Sequence, residues 1–309
     1  MKTKLIAYCD GGLGNRLNSL VGAGYFARRL QMELEIAWPI NRWCAAPFED
    51  LFDAPFPVDR RTMPELNNEH PAHLLLAHER QRFDMPMMFN PGTVVWPGKL
   101  VERLREELAN ASGLIYFNSL VPGYVPHRDI EAIARDVRVK GEHKDRADEY
   151  LSRAGLLGRR YWGLHLRGTD AGFPERYYNY WYRVSHLLPG PIVLCTDDKA
   201  VEDRFLRNRS VVRRPTAALP QKAQEGKGWN EPQRDEYGRE FNYNIFRGAD
   251  AVRESMIDFE ILSRSRILPT SGSTFLENAR RFVGRRTVGS RLRDARAWLG
   301  YAYRVARGQ

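Results

Sequence analysis

Cysteine is scarce: Cys9, Cys44 and Cys195 are the three among 309 residues. Their number is odd, they lie far apart, and they show neither C-x-x-C nor metal-ligand spacing. A disulfide framework and structural zinc are therefore excluded as expectations, and a reducing compartment is favoured. No stretch approaches the roughly 20 apolar residues of a membrane span, and the apolar run after Met1 is too short for a secretory signal peptide. The expected location is the cytoplasm. The seven histidines are scattered, without H-E-x-x-H or a cluster of ligands, so no metal is expected. His70, His73 and His78 fall in a polar stretch and read as loop residues. The G-x-S-x-G elbow of an α/β-hydrolase is missing too.

Forty-eight Lys and Arg face thirty-eight Asp and Glu, a net charge of +10. Such a balance suits an anionic partner: a nucleotide or phosphate, an acidic membrane, or nucleic acid. Nucleic acid loses ground because no interleaved basic and aromatic motif is present. The segment from Glu277 to Gln309 holds nine Arg against Glu277 and Asp294. It is either a solvated helix face or a peripheral contact with acidic lipid. An apolar share of 43% supplies buried cores, and the length predicts two domains of about 150 residues.

Leu5 to Cys9 is a short apolar run that breaks at Asp10-Gly11-Gly12-Leu13-Gly14, after which Leu13, Leu17, Leu20, Gly24 and Ala27 recur at helical spacing. Glu33 to Trp38 follows as a second strand, so the opening is a β-α-β unit with a parallel sheet. From Pro39 to Pro97 the pattern is irregular, with short apolar runs such as Leu74-Leu75-Leu76. Gly113 to Phe117 predicts another strand. The charged helical stretch from Ile130 to Leu157 closes a first domain, 1–157. Strand, polar turn and helix then recur in a second domain, 158–309. Tyr161 to Leu166 and Pro191 to Cys195 are its strands, with a helix from about Lys199, a helix from Ala249 to Arg264, and a last strand at Arg266 to Pro269. The interval 215–246 has no sustained period and reads as a long loop, either a lid or an insertion.

Four turns carry candidate chemistry. Gly11-Gly12-Leu13-Gly14-Asn15-Arg16 brings backbone N–H groups to a helix start, yet it is neither a Walker A loop nor G-x-G-x-x-G. His165-Leu166-Arg167-Gly168-Thr169-Asp170 ends a strand, where His165 and Arg167 share a face and Arg offers a rigid fork for a diphosphate. Thr196-Asp197-Asp198 ends the next strand, and equally suits a helix cap. Ser271-Gly272-Ser273-Thr274 again joins a strand to a helix.

These residues resemble the superfamily of α-1,6-, protein-O- and nodulation fucosyltransferases. The glycine turn from Gly11 to Leu17 is similar to the family's N-terminal turn. His165 to Asp170 resembles its His-x-Arg-x-Thr-Asp motif. Asp258 to Leu268, running on to Ser273-Thr274-Phe275, resembles its last block. The likeness covers about a sixth of the chain in short islands. It implies a GT-B architecture: α/β, with two Rossmann-like domains facing a central cleft and the donor on the C-terminal one. Arg167 would bind the β-phosphate of GDP, His165 and Asp258 the guanine or ribose, Ser273 and Thr274 a phosphate. Asp197 or Asp198 would support the nucleotide pocket, with Asp170 beside it and Gly12, Gly14, Asn15 and Arg16 completing the donor site. Glu175 falls where the α-1,6 members place a candidate general base. Gly168 departs from the pattern, since many relatives carry a second Arg there. Residues 39 to 112 show no likeness and are the expected acceptor side.

The expected activity is an inverting transfer of L-fucose from GDP-fucose to a glycan hydroxyl without a metal or other cofactor. The alternatives are the same scaffold with another nucleotide sugar, or a non-catalytic protein that binds nucleic acid or glycan.

Overall fold

A computed structural model describes residues 3–77, 88–89, 97–117, 125, 127–169, 173–214, 218–229, 231–234, 240–241, 243–268 and 274–282. In chain order the first elements are β1 (Lys4–Tyr8), α1 (Leu13–Leu30), β2 (Glu33–Ala37), β3 (Phe52–Asp53), β4 (Val58–Asp59), α2 (Met63–Glu69), β5 (His73–Ala77), β6 (Met88–Phe89), α3 (Pro97–Leu108), β7 (Gly113–Phe117) and α4 (His127–Asp136). There follow β8 (Arg138–Val139), α5 (Gly141–Arg153), β9 (Trp162–Leu166), α6 (Glu175–Leu187), β10 (Ile192–Thr196), α7 (Lys199–Phe205), β11 (Val211–Arg213), β12 (Gln233–Arg234), β13 (Glu240–Phe241), α8 (Ala249–Arg264), β14 (Arg266–Ile267) and α9 (Thr274–Phe282). The chain divides into two compact units. One holds residues 1–39, 53–138 and 280–309, the other 40–52 and 139–279.

The first unit is a parallel six-stranded sheet in the order β4-β2-β1-β7-β5-β6. Leu5, Ile6, Ala7 and Tyr8 of β1 are wholly buried between β2 and β7. A strand covered on both faces has no reason to alternate polar with apolar residues, which is why it reads as one apolar run. The same physics corrects the reading of 39–97 as irregular. Leu74-Leu75-Leu76 is the middle of β5, which pairs with β7 on one side and β6 on the other. Its first residue, His73, is not a loop residue but a buried one, 7% exposed, with Nδ1 3.0 Å from the Ser112 hydroxyl. His70 is the C-cap of α2, and His78 lies outside the described residues.

The second unit is a parallel four-stranded sheet, β11-β10-β9-β14. Leu164 and Leu166 of β9, Ile192 and Leu194 of β10, and Phe205 of α7 share one core with Tyr178 and Trp181 of α6. Sequence reading passed over α6 because its aromatic residues come in short runs broken by polar ones, yet Tyr178, Trp181 and Ser185 fall three and four apart and form its buried side. Met256, Phe259 and Ile261 of α8 are fully buried, as their spacing predicts. The helix α5 packs on α8, so part of the stretch assigned to the end of the first domain belongs to the second unit. The 215–246 interval is stitched at its base. Gln221 and Phe246 exchange backbone hydrogen bonds of 2.9 and 2.7 Å, and the buried Asn244 side chain accepts from the Gln224 N–H and donates to its carbonyl, each at 2.8 Å.

Candidate functional site

In the second sheet, chain order reverses between β9 and β14. Open parallel sheets collect ligands outside the carboxyl ends of their strands at such a reversal, because the connections leave a crevice there. The carboxyl end of β9 delivers Arg167-Gly168-Thr169, and β14 leads to α9, which starts at Thr274. The two ends are neighbours: the ring of His165, 9% exposed, lies 5.3 Å from that of Phe275 at 32°. Asp170 and Ser273, with Ser271 and Gly272, lie outside the described residues.

Asp197 holds the turn after β9. Its Oδ1 accepts the Gly168 N–H at 2.8 Å, and its Oδ2 accepts the Thr169 hydroxyl at 2.6 Å, with Thr169 buried. A third bond reaches the residue before them: the Tyr178 hydroxyl donates to the Arg167 carbonyl at 2.7 Å. Arg167 itself is half-buried. Asp198 caps α7, accepting the Ala200 N–H at 2.7 Å, so for this residue the cap is what the bonds display. The Thr274 carbonyl accepts from the Asn278 side chain within α9.

Asp258 on α8 is tied to Arg214, whose Nε donates to it, while Arg214 Nη1 donates to Glu254 at 2.8 Å and Nη2 to the Glu254 carbonyl at 3.1 Å. Arg146 adds a second cation to Glu254. Burial pushes the Asp258 carboxyl above its ordinary value, against the pull of Arg214. Glu175 opens α6 with its side chain 72% exposed and ion-paired to Arg204. Tyr178, Arg204 and Arg214 were not foreseen. Nothing in the sequence around the two arginines marks them, because their partners lie 25 to 44 residues away.

The glycine turn belongs to the first unit, at the carboxyl end of β1. Gly11 takes φ +81°, and its N–H is accepted by Asp10 Oδ1 at 2.6 Å. A carboxylate thus already occupies the turn where an anion was expected. Gly12 is the N-cap of α1, with open space where a Cβ would stand. Gly14 is buried, while Asn15 and Arg16 each donate a backbone N–H to the Gly12 carbonyl. The Arg16 side chain is fully buried. Its Nε donates to the Gly11 carbonyl at 2.7 Å and its Nη1 to the Pro39 carbonyl at 2.8 Å, with the guanidinium 4.8 Å from the Trp38 ring centroid. Arg16 therefore braces the turn from inside.

The three cysteines are buried free thiols. Burial lifts Cys9 to about 12 and Cys195 well above its ordinary value, which removes both as thiolate nucleophiles. Among the described residues no group of three or more His, Cys, Asp and Glu is placed to hold a metal ion, and no helix is long and apolar enough to cross a membrane.

This architecture is shared with solved fucosyltransferases. The α-1,6-fucosyltransferase NodZ co-crystallised with GDP matches with a TM-score of 0.54 at 19% identity, over 91% of this chain and 92% of that one. Fucosyltransferase NodZ from Bradyrhizobium gives 0.55 at 18% over the same shares. POFUT1 in complex with GDP-fucose gives 0.52 at 13%, over 92% of this chain and 96% of that one. No protein-family model and no curated protein sequence matches the chain. The fold is the α/β fold of these GT-B enzymes, with two Rossmann-like units. At such identities the likeness speaks for the fold, and the site must speak for the chemistry.

Proposed function

We propose that the chain is a glycosyltransferase that moves L-fucose from GDP-fucose to a glycan hydroxyl with inversion and without a metal. The second unit holds the donor. Support comes from one arrangement above all: Arg167 stands at the sheet reversal on a turn whose next two residues are fixed by Asp197. A guanidinium held there can meet the charge that grows on a departing diphosphate, which is the task a cation otherwise performs. The solved structures of this fold include one crystallised with GDP and one with GDP-fucose.

In this reading His165 meets the base or ribose, Thr274 and Ser273 face a phosphate, and Asp197 supports the turn. Asp258 acts on the pocket with Arg214 on its carboxylate. Glu175 removes the acceptor proton once its pairing with Arg204 is exchanged for the substrate hydroxyl. The first unit offers the acceptor side, with Gly12, Gly14 and Asn15 on the turn after β1 and Arg16 bracing that turn from inside. The Arg-rich segment from Glu277 to Gln309, described only as far as Phe282, is either a solvated helix face or a peripheral contact with acidic lipid. The deciding experiment incubates the chain with labelled GDP-fucose over a glycan array, with and without chelator. Label on defined glycans in both conditions supports the proposal. Transfer from another nucleotide sugar alone, or transfer abolished by chelation, refutes it.

A further inference from the structure

We propose that Tyr178 is a positioning residue for Arg167, holding the backbone from which the guanidinium projects. The inference rests on Arg167 being the diphosphate ligand, and it concerns a residue no motif singled out. The Arg167 carbonyl lies one residue past the end of β9, and a side chain supplies its hydrogen-bond donor: the Tyr178 hydroxyl at 2.7 Å. That phenol is anchored, since Tyr178 is 8% exposed and packs in one core with Leu164, Leu166 and Trp181. Burial and the carboxylates of Asp198 and Asp197 raise its hydroxyl to about 12, so it stays protonated and remains a donor.

With the two bonds from Asp197, the backbone or side chain of each of residues 167, 168 and 169 is fixed by a group from another element. Tyr178 reaches in from α6 and Asp197 from the end of β10. A turn held at three successive residues loses little further freedom when Arg167 closes on an anion, so more of the contact is kept as affinity.

Tyr178→Phe removes the oxygen and keeps the ring in its core. GDP affinity by calorimetry and the steady-state constants for GDP-fucose are measured in the wild type, Tyr178→Phe, Arg167→Ala and the double variant. Tyr178→Phe is expected to weaken GDP binding and raise KM for GDP-fucose about tenfold, with kcat changed far less. In the Arg167→Ala background the same change is expected to have no further effect, because its only route to the ligand is gone. Equal losses in both backgrounds, or no loss in the wild type, overturn the proposal. Absence of GDP binding by the wild type overturns the reading of Arg167 and this inference with it, which sets the two failures apart. Amide exchange gives a second readout: faster exchange across 166–169 with β10 unchanged is expected, whereas faster exchange throughout the sheet marks a merely structural role and overturns it.

Discussion

A Cβ added to Gly168 would lie 2.2 Å from the Cβ of Asp198 and 2.5 Å from its Oδ2. Real Cβ atoms do not approach so closely, so the turn after β9 and the cap of α7 fit together only because residue 168 has no side chain. The second Arg common at this place in the fucosyltransferases that the chain resembles has no room here unless the backbone moves. Gly168→Ala is expected to cost about 1–3 kcal/mol of stability, the usual penalty of overpacking, and Gly168→Arg more. Both are expected to weaken GDP binding. Urea midpoints and GDP titrations check this, and a Gly168→Arg variant with improved donor affinity would contradict it.

Arg167→Ala is expected to leave a diphosphate's charge without its partner, at a cost of about 3–5 kcal/mol, or roughly 10²–10⁴ in kcat/KM for GDP-fucose. Arg167→Lys restores the charge but not the planar fork, and is expected to recover only part of the loss. Near-normal turnover by Arg167→Ala would remove Arg167 from the site.

Glu175 is exposed and paired with Arg204, which also donates to Asn179. Glu175→Gln is expected to keep GDP affinity and lose most transfer. Exposure makes its folding contribution small, so the unfolding midpoint is expected to stay where it is. Unchanged transfer by Glu175→Gln would assign the proton to another group.

Arg214 is 5% exposed and pairs with both Asp258 and Glu254. Removing it leaves Asp258 without its cation in a buried site, while Glu254 keeps Arg146, and Arg214→Met is expected to destabilise the fold by about 3–5 kcal/mol, the cost of breaking one side of a buried ion pair. Chemical denaturation measures it. A loss under about 1 kcal/mol would mean that the carboxylates find protons or water instead.

Burial lowers His73 to about 4, and the positive charges of His70, Arg61 and Lys4 add to the shift. Its folded value is therefore below the unfolded one near 6.5. The neutral ring stabilises the fold fully above pH about 6.5, and that contribution, of order 1–3 kcal/mol, is lost as pH falls towards about 4. His73→Gln is expected to flatten the stability profile over this interval. An unaltered acid limb in the variant would place the acid sensitivity elsewhere.

Much of the fold was legible because burial leaves a mark on composition. β1, β7, β9 and β10 are largely apolar runs ended by polar turns, β2 alternates charged and apolar residues before Ala37, and α1 and α8 carry their apolar residues at helical spacing. β5 was not legible, since five residues buried on both faces look the same as any short apolar run, and α6 was hidden by aromatic side chains whose hydroxyls serve both water and core. At the site, the sequence brought forward Arg167, Asp197 and Asp198 through their place at strand ends. It gave no sign that Arg16 would turn inward, that Asp258 would be matched by Arg214, or that Tyr178 would reach the Arg167 carbonyl.

By itself the sequence determined the alternation of strand, turn and helix and the residue types at each strand end, because these depend on neighbours a few positions away. Tertiary structure alone decided which turns meet and what each polar group does there. A hydrogen bond between residues 11, 28 or 44 positions apart depends on how strands are ordered and helices docked. That order comes from burying whole faces at once, a collective choice to which no single residue commits the chain.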